Sequence, residues 1–170
     1  LLELESILHA ENHEIVSLVE LFPTNCIIYE MSSIDRDGVI TELVEKLVES
    51  GSIKKSARKK LITDLIEREK QGSTGVGGGA AVPHTSVANI GEVLGIIGRS
   101  PVGADFNCVT GERVHVFFLV LYAPDMQAER RMALGRLIEL SRSTNMIKFI
   151  KAAKSVKDIT DLLKEMDGAV

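Results

Sequence analysis

His84 closes a stretch that reads Gly72-Ser73-Thr74-Gly75-Val76-Gly77-Gly78-Gly79-Ala80-Ala81-Val82-Pro83-His84. Its glycines leave the backbone with little side-chain bulk, so N–H groups can converge on an anion. Ser73 and Thr74 add hydroxyl donors. Arg68 and Lys70 stand just upstream, and a guanidinium suits two-point contact with phosphate. Pro83 fixes φ immediately before the imidazole. Donors, a guanidinium and one imidazole thus fall within 17 residues. That set fits a transient phosphohistidine, in which a ring nitrogen attacks a phosphoryl group and the loop balances charge on its oxygens. A glycine-rich hinge with an incidental loop histidine is the alternative that the residues alone leave open.

Other chemistry is excluded or weak. A phosphate-binding loop of the nucleotide type needs Lys-Ser or Lys-Thr after its glycines, and no Lys lies between Gly72 and His84. A dinucleotide turn needs a strand before and a helix after. Here a helix ends near Glu69, and Pro83 sits where the next would begin. His9 and His13 share a helix face, but without a third ligand they read as solvated surface. Cys26 and Cys108 are 82 positions apart without a CxxC, which reads as two reduced thiols. The net charge of -4 argues against a nucleic-acid partner. The basic run Lys54-Lys55 to Lys60 reads as a solvated helix face, with an acidic docking partner as the alternative. No apolar run approaches a membrane span, and no signal-peptide pattern is visible. A cytoplasmic protein is expected.

These residues need elements to position them. Leu1 to Glu20 carries five Glu and no Lys or Arg, and reads as an acidic amphipathic lead-in helix or linker. Cys26–Tyr29 is β-prone. Val39–Glu49, stopped by Gly51, and Ser56–Glu69 have helical periodicity. Val93–Ile97 and Val114–Leu121 read as strands, with a polar loop over 103–113. Met126–Ser141, Met146–Ala153 and Val156–Met166 read as helices, the last capped by Ser155. Strands in the middle, with helices before and after, predict an α/β fold whose sheet is covered on both faces. His115 falls on a strand expected to neighbour that of His84. It reads either as a satisfied edge histidine or as a residue close to the phosphoryl group.

Arg68-Glu69 followed by Gly-Ser-Thr-Gly-Val-Gly-x-Gly-x-Ala-Val-Pro-His resembles the active-site segment of phosphotransferase-system enzyme IIA domains of the fructose–mannitol type (type 2). Nitrogen-regulatory IIA proteins belong to the same group. Pro101-Val102, Asp105-Phe106, Gly111–Leu119 and Ala123-Pro124 resemble its later strands, and Leu137 with Leu140-Ser141 its following helix. The likeness covers about Leu21 to Met166, giving a division into a lead-in (1–20) and a IIA-type phosphocarrier domain (21–170).

The resemblance implies a three-layer α/β/α sandwich with a small mixed sheet, and no metal or diffusible cofactor. It implies that His84, through Nε2, takes a phosphoryl group from the histidine phosphocarrier protein and passes it to a IIB domain. Arg68, Ser73, Thr74 and Gly75 would then bind the phosphoryl oxygens. In nitrogen-branch members the phosphorylation state instead controls binding to a regulated target protein. A IIA-like domain cut from a larger membrane protein is a further alternative. Family members commonly keep a second His on the helix after the Pro; here that pattern falls on Ala133-Leu134. Its loss predicts slower transfer or a regulatory role, unless Arg130, Arg131 or Arg136 supplies the charge.

Overall fold

The computed structural model describes residues 16–168. The predicted lead-in helix, with His9 and His13, lies outside the described residues except for its last five positions. Those open on helix α1 (Leu18–Leu21). The Asp167 carboxylate accepts hydrogen bonds from the Leu18 and Val19 amides, which ties this start to the far end of the chain.

Strand β1 (Ile27–Ile28) is followed by helices α2 (Arg36–Glu49) and α3 (Arg58–Lys70). Four strands come next: β2 (Gly75–Gly77), β3 (Ala80–Ala81), β4 (His84–Ser86) and the long β5 (Leu94–Ala104). Strand β6 (Val114–Tyr122) precedes helices α4 (Gln127–Arg142), α5 (Thr144–Lys151) and α6 (Val156–Gly168). The sheet order is β1-β5-β6-β3-β2, and β4 continues beside β6 beyond β3. It is a mixed sheet: β5 runs antiparallel to β6, while β3 and β4 run parallel to it.

The composition of β6 explains the three layers. Val116, Phe118 and Val120 enter one apolar cluster, shared with α1, α4, α5 and α6. Phe117, Leu119 and Leu121 enter a second, shared with α2 and α3. A strand with apolar residues pointing to both faces from Val116 to Leu121 must be covered on both faces. The predicted α/β/α sandwich is therefore the fold observed. No helix among the described residues is long and apolar enough to cross a membrane.

Two predicted boundaries move by three residues or more. Helix α2 begins three residues early because the Asp35 carboxylate caps it, accepting from the Gly38 amide at 2.7 Å. Strand β5 runs through Pro101 into the segment read as loop. The β5–β6 register slips between Arg99 and Ala104, and a proline is tolerated at such an irregularity. The Gly51 stop and the Ser155 cap are both present, the latter accepting from the Asp158 amide at 3.1 Å.

Candidate functional site

Register places His84. Its Cα pairs with Val120 on β6, and the Pro83 carbonyl accepts from the Val120 amide at 3.0 Å. Alternation from Ala80 and Val82 puts the imidazole on the sheet face that α4 covers. The ring is 1 % exposed. Its Nδ1 lies 2.9 Å from the Val82 carbonyl. A carbonyl only accepts, so Nδ1 carries the proton and Nε2 of the neutral ring carries the lone pair.

The stretch read as a glycine loop is a hairpin, β2 against β3. Gly77, Gly78 and Gly79 turn it with φ of +88°, +65° and +85°. A Cβ on Gly77 would touch nothing within 4 Å, so conformation rather than space demands glycine there. Gly78→Ala is expected to destabilise by about 1–2 kcal/mol, measured by urea unfolding, although the position is exposed. At Gly75 space decides instead, because a Cβ would lie 2.6 Å from Cys108 Sγ.

Glu69 anchors the loop. It sits in the last turn of α3, is buried, and accepts from the Thr74 amide at 3.0 Å and from the Thr74 hydroxyl. The Thr74 carbonyl then accepts from the Val82 amide at 3.1 Å, which joins Glu69 to the segment that leads from β3 into His84. Burial pushes the Glu69 carboxyl above its ordinary value; the Thr74 hydrogen bonds and the nearby Arg68 and His84 pull it partly back. With the folded value raised, the folded state holds more protons than the unfolded one as pH rises from about 4.5. The stability this group contributes is therefore present at low pH and lost as pH rises through the folded value. The Tm of the wild type minus that of Glu69→Gln should fall as pH is raised from 4.5 towards neutrality; a flat difference would contradict the raised value.

The structure revises several expected roles. The Thr74 hydroxyl donates to Glu69, so it holds the loop rather than facing a phosphoryl oxygen. Ser73 Oγ accepts from the Gly75 amide at 3.1 Å and points its own proton towards the Phe106 carbonyl, 3.5 Å away. The amides of Thr74, Gly75 and Gly79 go to Glu69, Ser73 and Glu112. The hairpin thus satisfies much of its own polarity instead of forming an open nest. Arg68 stays at the site, half-buried, with Nη1 donating to the Gly72 carbonyl at 3.0 Å.

His115 is not brought to His84. It lies five residues along β6 from Val120, about 16 Å at strand rise. Its Nδ1 is held by the Ser100 carbonyl at 2.9 Å. Ala133 is 2 % exposed within the α4-side core, so a histidine there would displace apolar packing. Cys108 is a half-buried free thiol whose pKa burial pushes up, consistent with an unreactive side chain beside the loop. The basic run is surface: Arg58 pairs with Glu45 and Lys60 with Asp64.

Sequence reasoning gave Glu69 no role beyond its place beside Arg68. Its signal was an acid in the last turn of a helix, where the macrodipole disfavours it.

Residues 20–166 match the family model described as phosphoenolpyruvate-dependent sugar phosphotransferase system, EIIA 2. The chain is 29% identical over 152 residues to the PTS system fructose-specific EIIABC component of Bacillus subtilis (strain 168), covering 89% of this chain and 24% of that protein. It is 31% identical over 99 residues to a nitrogen regulatory protein of Bradyrhizobium diazoefficiens, covering 58% of this chain and 65% of that one. The chain therefore spans about a quarter and about two thirds of the length of these two relatives. Its fold is similar to the crystal structure of nitrogen regulatory protein IIA-Ntr from Neisseria meningitidis, with a TM-score of 0.76, 23% identity, and coverage of 85% of this chain and 97% of that one.

Proposed function

Since the chain belongs to the EIIA 2 family of the phosphoenolpyruvate-dependent sugar phosphotransferase system, we propose that it is a cytoplasmic phosphoryl carrier that works through phospho-His84. The observation that carries the reading is the Val82 carbonyl on Nδ1, which leaves Nε2 as the nucleophilic nitrogen. The donor is the phosphohistidine of a carrier protein. As the Nε2–P bond forms, the donor's N–P bond breaks, and the protonated donor ring leaves as neutral imidazole. The His84 Nδ1 proton stays in place, so phospho-His84 is an N-phosphoryl imidazolium. The Val82 carbonyl and the nearby Glu69 carboxylate offset its ring charge. Arg68 stands at the loop to meet the phosphoryl oxygens. Onward transfer to a IIB domain reverses these steps.

The regulatory reading keeps the same phosphorylation and changes its output. The 31% identity to a nitrogen regulatory protein favours retaining it. Labelled phosphoenolpyruvate with the general phosphoryl-transfer proteins tests the shared step. An acid-labile, base-stable label is expected on the chain, and no label overturns the proposal. A chase onto a IIB domain then separates the two: discharge supports sugar transport, and a label that stays while binding to a target changes supports regulation.

A further inference from the structure

The phosphoryl group brings two negative charges to a site that already holds the Glu69 carboxylate, and much of the hairpin's hydrogen bonding is turned inward. Compensating charge must come from side chains. Arg68 supplies one guanidinium from the end of α3. His84, however, lies on the face of the sheet covered by α4.

Three arginines of α4 are candidates, and the structure separates them. Arg131 is exposed. Arg136 donates through Nη2 to the Met166 carbonyl at 3.1 Å, which points it towards α6. Arg130 is half-buried, with its guanidinium carbon 5.3 Å from the centroid of the Tyr122 ring. Tyr122 pairs with Ser86, two residues beyond the Val120–His84 pair and on the same face, about 7 Å along the strand. The stack therefore holds a planar cation at the His84 end of the sheet. Placing it there is unfavourable for the helix alone, because a cation in the first turn opposes the macrodipole. The aromatic face offsets part of that cost.

We propose that Arg130 is a phosphoryl-binding catalytic residue: its guanidinium contacts equatorial oxygens of the group on Nε2, and Tyr122 positions it. This rests on the phosphocarrier reading. Phosphoryl transfer depends largely on positioned charge of this kind, and a guanidinium can take two oxygens at once. Arg68 and Arg130 then act from the α3 side and the α4 side.

The test uses the full chain and its phosphohistidine donor. Arg130→Gln is expected to lower kcat for His84 phosphorylation about 100-fold with little change in KM. Arg130→Lys should recover part of the rate, and the exposed control Arg131→Gln should match the wild type. A phosphorus NMR titration of phospho-His84 supplies a readout that a merely structural role would not move. Loss of the adjacent cation in Arg130→Gln should raise the midpoint of the phosphoryl group by about one pH unit. If Arg130→Gln fails to fold, Arg130→Lys carries both measurements, with intermediate values expected. Rates within twofold of wild type together with an unchanged midpoint would overturn the assignment. No labelling of the wild type would instead overturn the phosphocarrier reading.

Discussion

His84→Ala is expected to lose phosphoryl labelling entirely and to keep the wild-type fold. The ring donates from Nδ1 to the Val82 carbonyl, and the residue is 1 % exposed. Its removal should cost about 1–3 kcal/mol, against a total stability of roughly 5–15 kcal/mol. Among the described residues the chemistry has no substitute nearby. The Cys108 thiol is pushed up in pKa, and His115 is held by Ser100 at the other end of β6. No label above background is therefore expected. The check is labelling from the phosphohistidine donor alongside a circular dichroism melt. A label that persists at wild-type rate would refute His84 as the acceptor.

Phe118→Ala is expected to do the reverse, lowering stability sharply while sparing the chemistry at low temperature. Phe118 is fully buried between the sheet and the α4-side helices, and its ring centroid lies 5.9 Å from that of Phe22. Truncating a buried phenylalanine costs about 3–5 kcal/mol. For a chain of this size each kcal/mol moves Tm by roughly 2–4 °C, so a fall of about 6–20 °C is expected by calorimetry. Labelling well below the new Tm should stay close to wild type, because His84 is set by Val82 and by its register with Val120. A Tm unchanged within 2 °C or so would show that the Phe22–Phe118 packing is not what closes this face. The two substitutions together separate the part of the molecule that reacts from the part that holds it.

Much of this arrangement was readable from the residues, for physical reasons that differ by element. Strand β6 announced itself because nine residues without a glycine, and with β-branched or aromatic side chains at most positions, have few other ways to fold. His84 stood out because a proline and a glycine-rich run preceded it. The β2–β3 hairpin did not, since Gly75–Gly77 and Ala80–Ala81 offer one β-branched residue, Val76, and no polar–apolar alternation. What makes them strands is pairing, of β3 with β6 and of β2 with β3, and the first of these is a tertiary effect. The same limit applies to the site. Sequence supplied Ser73 and Thr74 as hydroxyl donors, but it could not show that Glu69 would claim one and the loop the other. Nor could it choose among three arginines on one helix, because the choice depends on where Tyr122 of β6 lies beneath them.

The burial of His84 has a kinetic consequence. A ring that is 1 % exposed cannot meet another protein's phosphohistidine by collision alone. On the phosphocarrier reading, docking and phosphoryl transfer would be separate events, with a parting of the covering residues between them. Labelling rates should then level off as donor concentration rises, at a ceiling set by that parting rather than by encounter. The same cover would keep water from an N–P bond formed at His84. A carrier that is slow to load in this way is also slow to leak, and its phosphorylated state outlives the encounter that made it.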